Sequence, residues 1–147
     1  MTSLPILRMI RDISGPWQQE PDYIKWIDAE TGYQCMIRRM RLGHLCGYVR
    51  VPRGHRLHGR HYHGRVERRI DVHGGVTFSG AQRFKPGYKP RGHWFGFDCG
   101  HSMDLIPGML VLDAHIGMPV GHSGIYKDVA YVRREVESFA RQLRRHA

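Results

Sequence analysis

His93-Trp94-Phe95-Gly96-Phe97-Asp98 is the stretch that decides the fold, because it is the clearest buried β-strand predicted in this chain of 147 residues. A short aromatic run bounded by loop residues favours a strand. Earlier in the chain, residues 33–38 alternate apolar and polar side chains, and residues 44–51 form a second apolar run. These two segments are predicted to pair as antiparallel strands through the turn at residues 41–43.

A basic loop and a broken strand follow these two segments. Residues 53–65 are mostly arginine, histidine and glycine with little to bury, so they predict a loop that grips phosphate, covers a ligand as a lid, or lies solvated on the surface. After this loop, residues 69–73 predict a strand that is broken at Gly74-Gly75. The strand is expected to continue over residues 76–79 past a bend.

The C-terminal residues predict one long helix. Asp128 can cap its first turn. Apolar residues then recur at spacings of three and four, at Val129, Val132, Val136, Phe139 and Leu143. This stripe is too short for a coiled coil and is expected to cover the sheet. The fold class is therefore α+β, with a small antiparallel or mixed sheet covered by a C-terminal amphipathic helix, in a single domain over residues 1–147.

Several classes of protein do not fit the sequence. No stretch approaches the roughly 20 apolar residues that a membrane span requires. Residues 1–10 lack the apolar segment and cleavage site of a signal peptide. The three cysteines, Cys35, Cys46 and Cys99, are odd in number and widely spaced, which is typical of reduced thiols. We therefore expect a cytoplasmic protein with no membrane partner.

Positive charge is the unusual feature of the composition. The formal net charge is +10, and ten of the 19 arginines and five of the 11 histidines fall between Met36 and Arg69, where Glu67 is the sole acid. The planar arginine fork suits phosphate, so an anionic ligand or a nucleic acid is an expected partner. A merely solvated basic surface is the alternative interpretation, because charge alone speaks to solubility and nonspecific binding.

Two motifs each combine acids and imidazoles with small residues. On an extended backbone Asp71 and His73 point to the same face. Asp98, His101 and Asp104 are spaced by three, so they share a face if the chain turns helical after the strand. Because both motifs follow strands whose ends converge, we predict that His73, Asp98 and His101 lie on one concave surface.

This combination of side chains suggests acid–base or metal chemistry. His73, Asp98 and His101 are the predicted catalytic residues. With Asp71 and Asp104 they also form a predicted set of ligands for Zn, Mn or Mg, although no cofactor is required by the pattern. A polar pocket without metal, and purely structural roles as turn caps, are the alternatives.

The ligand would be held by residues around these motifs. Aromatic rings can stack on a nucleobase, arginines can meet phosphate, and small hydroxyls let a ligand approach the backbone. The predicted ligand-binding residues are Tyr48, Thr77, Ser79, Trp94, Arg50 and Arg53.

Four motifs resemble a family of small phage and prophage proteins. They are Gly43-His-Leu-Cys-Gly-Tyr-Val49, Val51-Pro-Arg-Gly-His55, Val72-His-Gly-Gly-Val-Thr-Phe-Ser79 and Trp94-Phe-Gly-Phe-Asp-Cys-Gly-His101. The resemblance extends from about Tyr33 to the C-terminal helix and departs in the more basic region 53–69. It implies an accessory role inside a host bacterial cell, where disarming nucleotide-signalled immunity is one prominent task.

Together these features predict a pocket for a phosphate-bearing nucleotide or nucleotide-derived immune signal, which the protein either sequesters or hydrolyses. The enzymatic form would be a phosphodiesterase or nucleotide hydrolase with or without a metal. The alternative is an inhibitor that binds nucleic acid or protein directly through the arginine-rich face.

Overall fold

Five strands form one antiparallel sheet in the computed structural model, which describes residues 8–83, 87–116 and 124–147. The strands are β1 (Tyr23–Ile27), β2 (Gln34–Arg39), β3 (Leu45–Val51), β4 (Phe78–Gln82) and β5 (Arg91–Asp98). Their order across the sheet is β1-β2-β3-β5-β4. Two helices follow, α1 (Pro107–Ile116) and α2 (Val129–Arg145). The predicted α+β class is confirmed.

The hairpin of β2 and β3 forms as the sequence predicts. Its turn is closed by a hydrogen bond of 2.9 Å from the Gly43 N–H to the Met40 carbonyl. Gly43 has φ +93°, a conformation that suits glycine. In β3, Gly47 leaves room for Val136 of α2 and for the Phe97 ring, because a Cβ there would overlap both side chains. The missing side chain therefore lets α2 lie close to the middle of the sheet.

Helix α2 covers one face of the sheet and closes the core. Asp128 caps it by accepting a hydrogen bond of 2.8 Å from the Tyr131 N–H, as predicted. The stripe residues Val132, Val136, Phe139 and Leu143 are fully buried against the sheet. None of the helices within the described ranges is long and apolar enough to cross a membrane.

A smaller apolar cluster lies on the other face. Met36, Cys46, Tyr48 and Trp94 are its buried members, and Phe78 packs against them. The Tyr48 ring lies over Gly96 of the neighbouring strand, where a Cβ would collide with it. The two aromatic residues Tyr48 and Phe78 meet edge to face at 5.6 Å between ring centroids.

The predicted strand at residues 69–73 is wrong. This segment follows a 3-10 turn at Glu67–Arg69, and its backbone bonds to a side chain instead of to a strand. The Asp71 N–H donates to the Gln142 amide, and the Asp71 carbonyl accepts from it, both at 2.8 Å. Ile70 and Val72 are buried, so the alternating pattern reflects packing on the core and not a β-ladder.

The basic loop at residues 53–65 also differs from expectation, since part of it belongs to the core. Leu57 is fully buried and His55 is nearly so. The His55 Nδ1 accepts from the Leu57 N–H at 2.9 Å, so its Nε2 donates to the Leu143 carbonyl at 2.8 Å. The loop is therefore anchored to the last turn of α2.

Candidate functional site

Two acid–histidine pairs meet beyond the end of β5. His73 Nε2 lies 2.8 Å from Asp104 Oδ2, and His101 Nε2 lies 2.6 Å from Asp98 Oδ1. The centroids of the two imidazole rings are 6.0 Å apart. We call His73, Asp98, His101 and Asp104 the acid–histidine cluster. The structure thus brings together four of the five acids and histidines in the two sequence motifs.

A glycine turn gives the two rings room to approach. The Gly75 N–H donates to the Val72 carbonyl at 2.8 Å, which closes the turn that carries His73. Gly74 and Gly75 have φ of +70° and +81°, a region that L side chains rarely adopt. A Cβ on Gly74 would overlap the His101 imidazole. Glycine at this position is therefore required by both the backbone and the neighbouring ring.

Asp104 is the buried centre of the cluster, with only 4% of its surface exposed. Its carboxylate accepts a hydrogen bond from the His73 ring and another, of 3.0 Å, from the backbone N–H of His101. It also forms an ion pair with Lys127 Nζ at 3.2 Å. Burial alone would raise the pKa of Asp104, but the hydrogen bonds from His73, His101 and Lys127 outweigh it and lower that pKa. Asp104 is therefore ionised at neutral pH.

Tyr131 extends this pair into a chain of three groups. Its hydroxyl lies 2.9 Å from His73 Nδ1, while Asp104 holds Nε2 of the same ring. When His73 is neutral, Nε2–H donates to Asp104 and Nδ1 accepts from the phenol. When His73 is protonated, Nδ1–H donates to the tyrosine oxygen. Burial, and then the Glu135 carboxylate, raises the pKa of Tyr131, so its hydroxyl keeps its proton.

The second pair is more open to solvent. The side chains of Asp98 and His101 are 37% and 38% exposed, against 17% for His73. Asp98 Oδ1 and His101 Nε2 are in close contact, but both atoms are buried and form no hydrogen bond within the described ranges, so this contact does not fix the tautomer of His101. Solvent therefore reaches the outer parts of these two side chains, while the two atoms that face each other are buried.

His44 borders the cluster from the start of β3. Burial lowers its pKa, although the Asp98 and Asp104 carboxylates act in the opposite direction. Its Nδ1 is buried without a hydrogen-bond partner within the described ranges. His44 is therefore a neutral imidazole with one unused ring nitrogen next to both acids.

Three of these neighbours escaped prediction as site residues. Lys127 reaches Asp104 because the chain around Ile125 pairs with Met103 and Leu105 through hydrogen bonds of 3.0 and 3.1 Å. Tyr131 lies in the first turn of α2, fixed by its cap. Both are brought in by contacts between distant segments, which no local motif signals. His44 lies within the motif at residues 43–49, but that motif gives no reason to assign it a ligand or catalytic role.

Asp71, the fifth predicted metal ligand, is exposed, and its backbone bonds to Gln142. Among the described residues no group of three or more His, Cys, Asp or Glu side chains is arranged to hold a metal ion. Within the cluster, His73 Nε2 and Asp104 Oδ2 are bonded to each other and so are engaged as donor and acceptor. The metal site remains a prediction.

The predicted ligand-binding residues lie elsewhere on the sheet. Arg50 pairs in register with Trp94, four residues before Asp98 in β5. At about 3.3 Å per residue this places them roughly 13 Å from the acid–histidine cluster along the strand. Trp94 is fully buried and Tyr48 is 7% exposed. Neither ring therefore has a free face for a nucleobase, because both pack in the second apolar cluster.

Of the remaining predicted ligand-binding residues, one has a structural role and two are exposed on the surface. Ser79 Oγ accepts from the Tyr62 N–H at 3.0 Å, which ties the basic loop to β4. Thr77 is exposed and its N–H donates to the Gly96 carbonyl at 2.8 Å. Arg53 is exposed beyond the end of β3. Ser79 is thus used by the fold, whereas the Thr77 and Arg53 side chains face solvent.

No protein-family model, no curated protein and no solved structure matches the chain.

Proposed function

We propose that the acid–histidine cluster hydrolyses a phosphate ester in a nucleotide-type ligand. The observation that carries this proposal is the meeting of two carboxylate-bound imidazoles with 6.0 Å between their centroids. Hydrolysis of a phosphate ester needs one group that takes a proton from water and another that gives a proton to the leaving oxygen. Two histidines with separate carboxylate partners suit these two roles.

His101 is suited to act as the base. It is the more exposed imidazole, and because its Nε2 faces Asp98, Nδ1 is the ring nitrogen that points away from that carboxylate. Water attacking phosphorus would lose its proton to this nitrogen. Asp98 would stabilise the imidazolium that forms, as an orienting carboxylate does in other acid–base sites.

The chain from Asp104 to Tyr131 is suited to act as the acid. In its protonated form, His73 would donate from Nε2 to Asp104 and from Nδ1 to the Tyr131 oxygen. The phenol proton can then pass to the leaving oxygen while His73 replaces it. Because the pKa of Tyr131 is raised, the phenol is a weak acid by itself, and the relay requires His73 to supply a proton as the phenol gives up its own.

The choice of an anionic ligand is supported by charge and by the resemblance. The net charge of +10 attracts phosphates, and Lys127 lies beside the cluster. The similarity to phage proteins directs attention to nucleotides that signal immunity. Capture without cleavage is the second candidate, and one observation favours it. Both ring nitrogens of His73 are already hydrogen-bonded, which suits a rigid binding wall as well as a catalyst.

A nucleotide panel distinguishes these functions. The protein is incubated with cyclic dinucleotides and ADP-ribose derivatives, in EDTA or with Mn²⁺ or Zn²⁺, then heated, and the released nucleotides are separated by chromatography. His101→Gln and Tyr131→Phe remove the proposed base and the proposed relay. His63→Gln is the matched control, because His63 is exposed in the basic loop and outside the cluster.

Cleaved product from the wild type and the control, with turnover lost in the two cluster variants, supports hydrolysis. Intact ligand released only on heating supports capture instead. Product formation that survives in His101→Gln and Tyr131→Phe contradicts the assigned roles. If the protein neither binds nor cleaves any nucleotide in the panel, the proposed nucleotide function is overturned.

A further inference from the structure

Three shallow depressions adjoin one another around the last turn of α2 and the end of β3. The first has a volume of about 400 Å³ and shares Arg50 and Arg53 with a second of about 170 Å³. It shares Thr31 with a third of about 320 Å³, which Arg144 and Arg145 line. We call Arg50, Arg53, Arg144 and Arg145 the basic belt, because they follow the three depressions in turn.

The basic belt is separate from the acid–histidine cluster. Tyr131 in the first turn of α2 contacts His73, whereas Arg144 in the last turn donates to the Thr31 carbonyl at 3.0 Å. The 13 residues from Tyr131 to Arg144 rise about 20 Å along the helix axis. A ligand in the cluster therefore does not reach the belt unless it is an extended molecule.

Other arginines of the chain have acidic partners that the belt lacks. Arg39 and Arg11 pair with Asp22, and the buried Glu67 pairs with Arg60. By contrast, Arg50 and Arg53 have no carboxylate partner in the described part of the chain. Glu30 is the sole acid lining the three depressions, and Arg141 pairs with it at 3.3 Å. The arrangement leaves a concave surface with uncompensated positive charge.

Two belt arginines are also held in position by the backbone. Arg50 lies across Gly92, where a Cβ would come within 2.6 Å of its Nε. Gly92 has φ +75°, a backbone conformation that favours glycine. The absence of a side chain at Gly92 also lets the Arg50 guanidinium approach closely. Arg144 is fixed by its hydrogen bond to Thr31. Preorganised cations lose less side-chain entropy when they bind an anion.

We propose that the basic belt binds the phosphodiester backbone of a nucleic acid strand. Arginine forks are suited to phosphate oxygens, and their placement on β3, the following loop and α2 suits several phosphates in succession. A single phosphate would leave most of this surface uncompensated. His58, which lines the second depression, adds a further donor. This inference does not depend on the proposed hydrolysis at the acid–histidine cluster.

The test is fluorescence anisotropy with a labelled oligo(dT) strand and a duplex of equal length. Binding is followed between about 50 and about 200 mM salt. Arg53→Gln/Arg145→Gln removes an exposed arginine shared by the first two depressions and an exposed arginine of the third. Arg41→Gln/Arg134→Gln is the matched control, since these arginines are equally exposed and the change in charge is the same.

The belt variant should bind the single strand roughly tenfold more weakly at about 100 mM salt, with the slope of log K against log salt reduced by about 1.4. The control variant should keep the wild-type slope. Equal losses in the two variants would mean diffuse attraction by net charge and would overturn the proposal. No binding by the wild type to either nucleic acid at the lowest salt would also overturn it.

Two competitors separate the other sources of negative charge. Inorganic phosphate or AMP, at the same phosphate concentration as the oligonucleotide, should displace the strand poorly. Equal displacement would identify a site for a single phosphate and overturn the assignment to a strand. Equally strong binding of polyglutamate would identify a surface for acidic peptides, with the same consequence.

Discussion

At the scale of single residues, the position of one carboxylate decides how the site behaves. Asp104 is buried, yet it accepts hydrogen bonds from an imidazole and a backbone N–H and pairs with an ammonium group. Burying an ionised carboxylate without partners would be strongly unfavourable. The three donors instead make it the fixed point from which His73 and His101 are oriented.

Asp104→Asn should therefore destabilise the protein in a pH-dependent way. The folded-state pKa of Asp104 is lowered, so its contribution is present above the unfolded pKa and is lost as pH falls through the folded pKa. We expect a loss of about 2 kcal/mol in the free energy of unfolding at neutral pH. The difference from wild type should narrow below about pH 4. Urea unfolding at several pH values measures this, and a pH-independent difference would contradict it.

Gly74→Ala and Gly75→Ala form a matched pair at this scale. Both glycines have positive φ, so each substitution should cost about 1–2 kcal/mol of stability through backbone strain. Only the Cβ at Gly74 overlaps the His101 imidazole, since an added Cβ at Gly75 meets nothing within 4 Å.

The His101 ring resonances in NMR spectra should therefore shift much more in Gly74→Ala than in Gly75→Ala. Ligand processing should be lost in Gly74→Ala alone. Equal perturbation of His101 in both variants would contradict the close approach of Gly74 to that ring.

At the scale of elements, α2 and the basic loop show what a sequence pattern can and cannot predict. The buried face of α2 can be predicted from the spacing of its apolar residues, because a helix on the surface of a sheet buries one face. His55 and Leu57 belong to the core although their neighbours are arginine and glycine. His55 bonds to the Leu143 carbonyl in a helix more than 70 residues away, and no periodicity within the loop encodes that contact.

Phe139→Ala tests the packing of α2. Phe139 is fully buried, with its ring 6.0 Å from that of Phe97. The substitution should cost about 3–5 kcal/mol in the free energy of unfolding. Glu137→Ala on the exposed side of the same helix should change stability by less than about 0.5 kcal/mol. Thermal or urea unfolding of both variants provides the measurement, and similar losses in the two would show that the stripe is not packed.

At the scale of the whole molecule, the acid–histidine cluster and the basic belt lie at two different ends of the sheet. The sequence motifs placed Asp98, His101 and Asp104 together because these residues are close in the chain, whereas Asp71, which the same reasoning included, lies outside the cluster. They did not indicate that Arg50 lies at the opposite end of the sheet. That separation follows from the antiparallel register, in which Cys46 and not Arg50 is opposite Asp98.

Substitutions in the acid–histidine cluster and in the basic belt should have independent effects. Residues about 20 Å apart without shared partners usually contribute additively. Arg53→Gln/Arg145→Gln should leave the processing of a small nucleotide unchanged, and His101→Gln should leave strand binding unchanged. Combining all three substitutions should give the sum of the separate effects on free energy. A departure of more than about 0.5 kcal/mol from that sum would show coupling between the cluster and the belt.

Helix α2 also sets the order in which this protein can mature on the ribosome. Its first turn supplies Tyr131 to His73, and its last turn meets His55 and Thr31. The sheet strands all emerge earlier, with the face that α2 will cover still exposed to water. Synthesis proceeds at roughly 5–20 residues per second, so about 2–9 s pass between the synthesis of β5 and the completion of this helix. During that interval neither end of the molecule is complete, and the uncovered strands are the segment that a chaperone would have to shield.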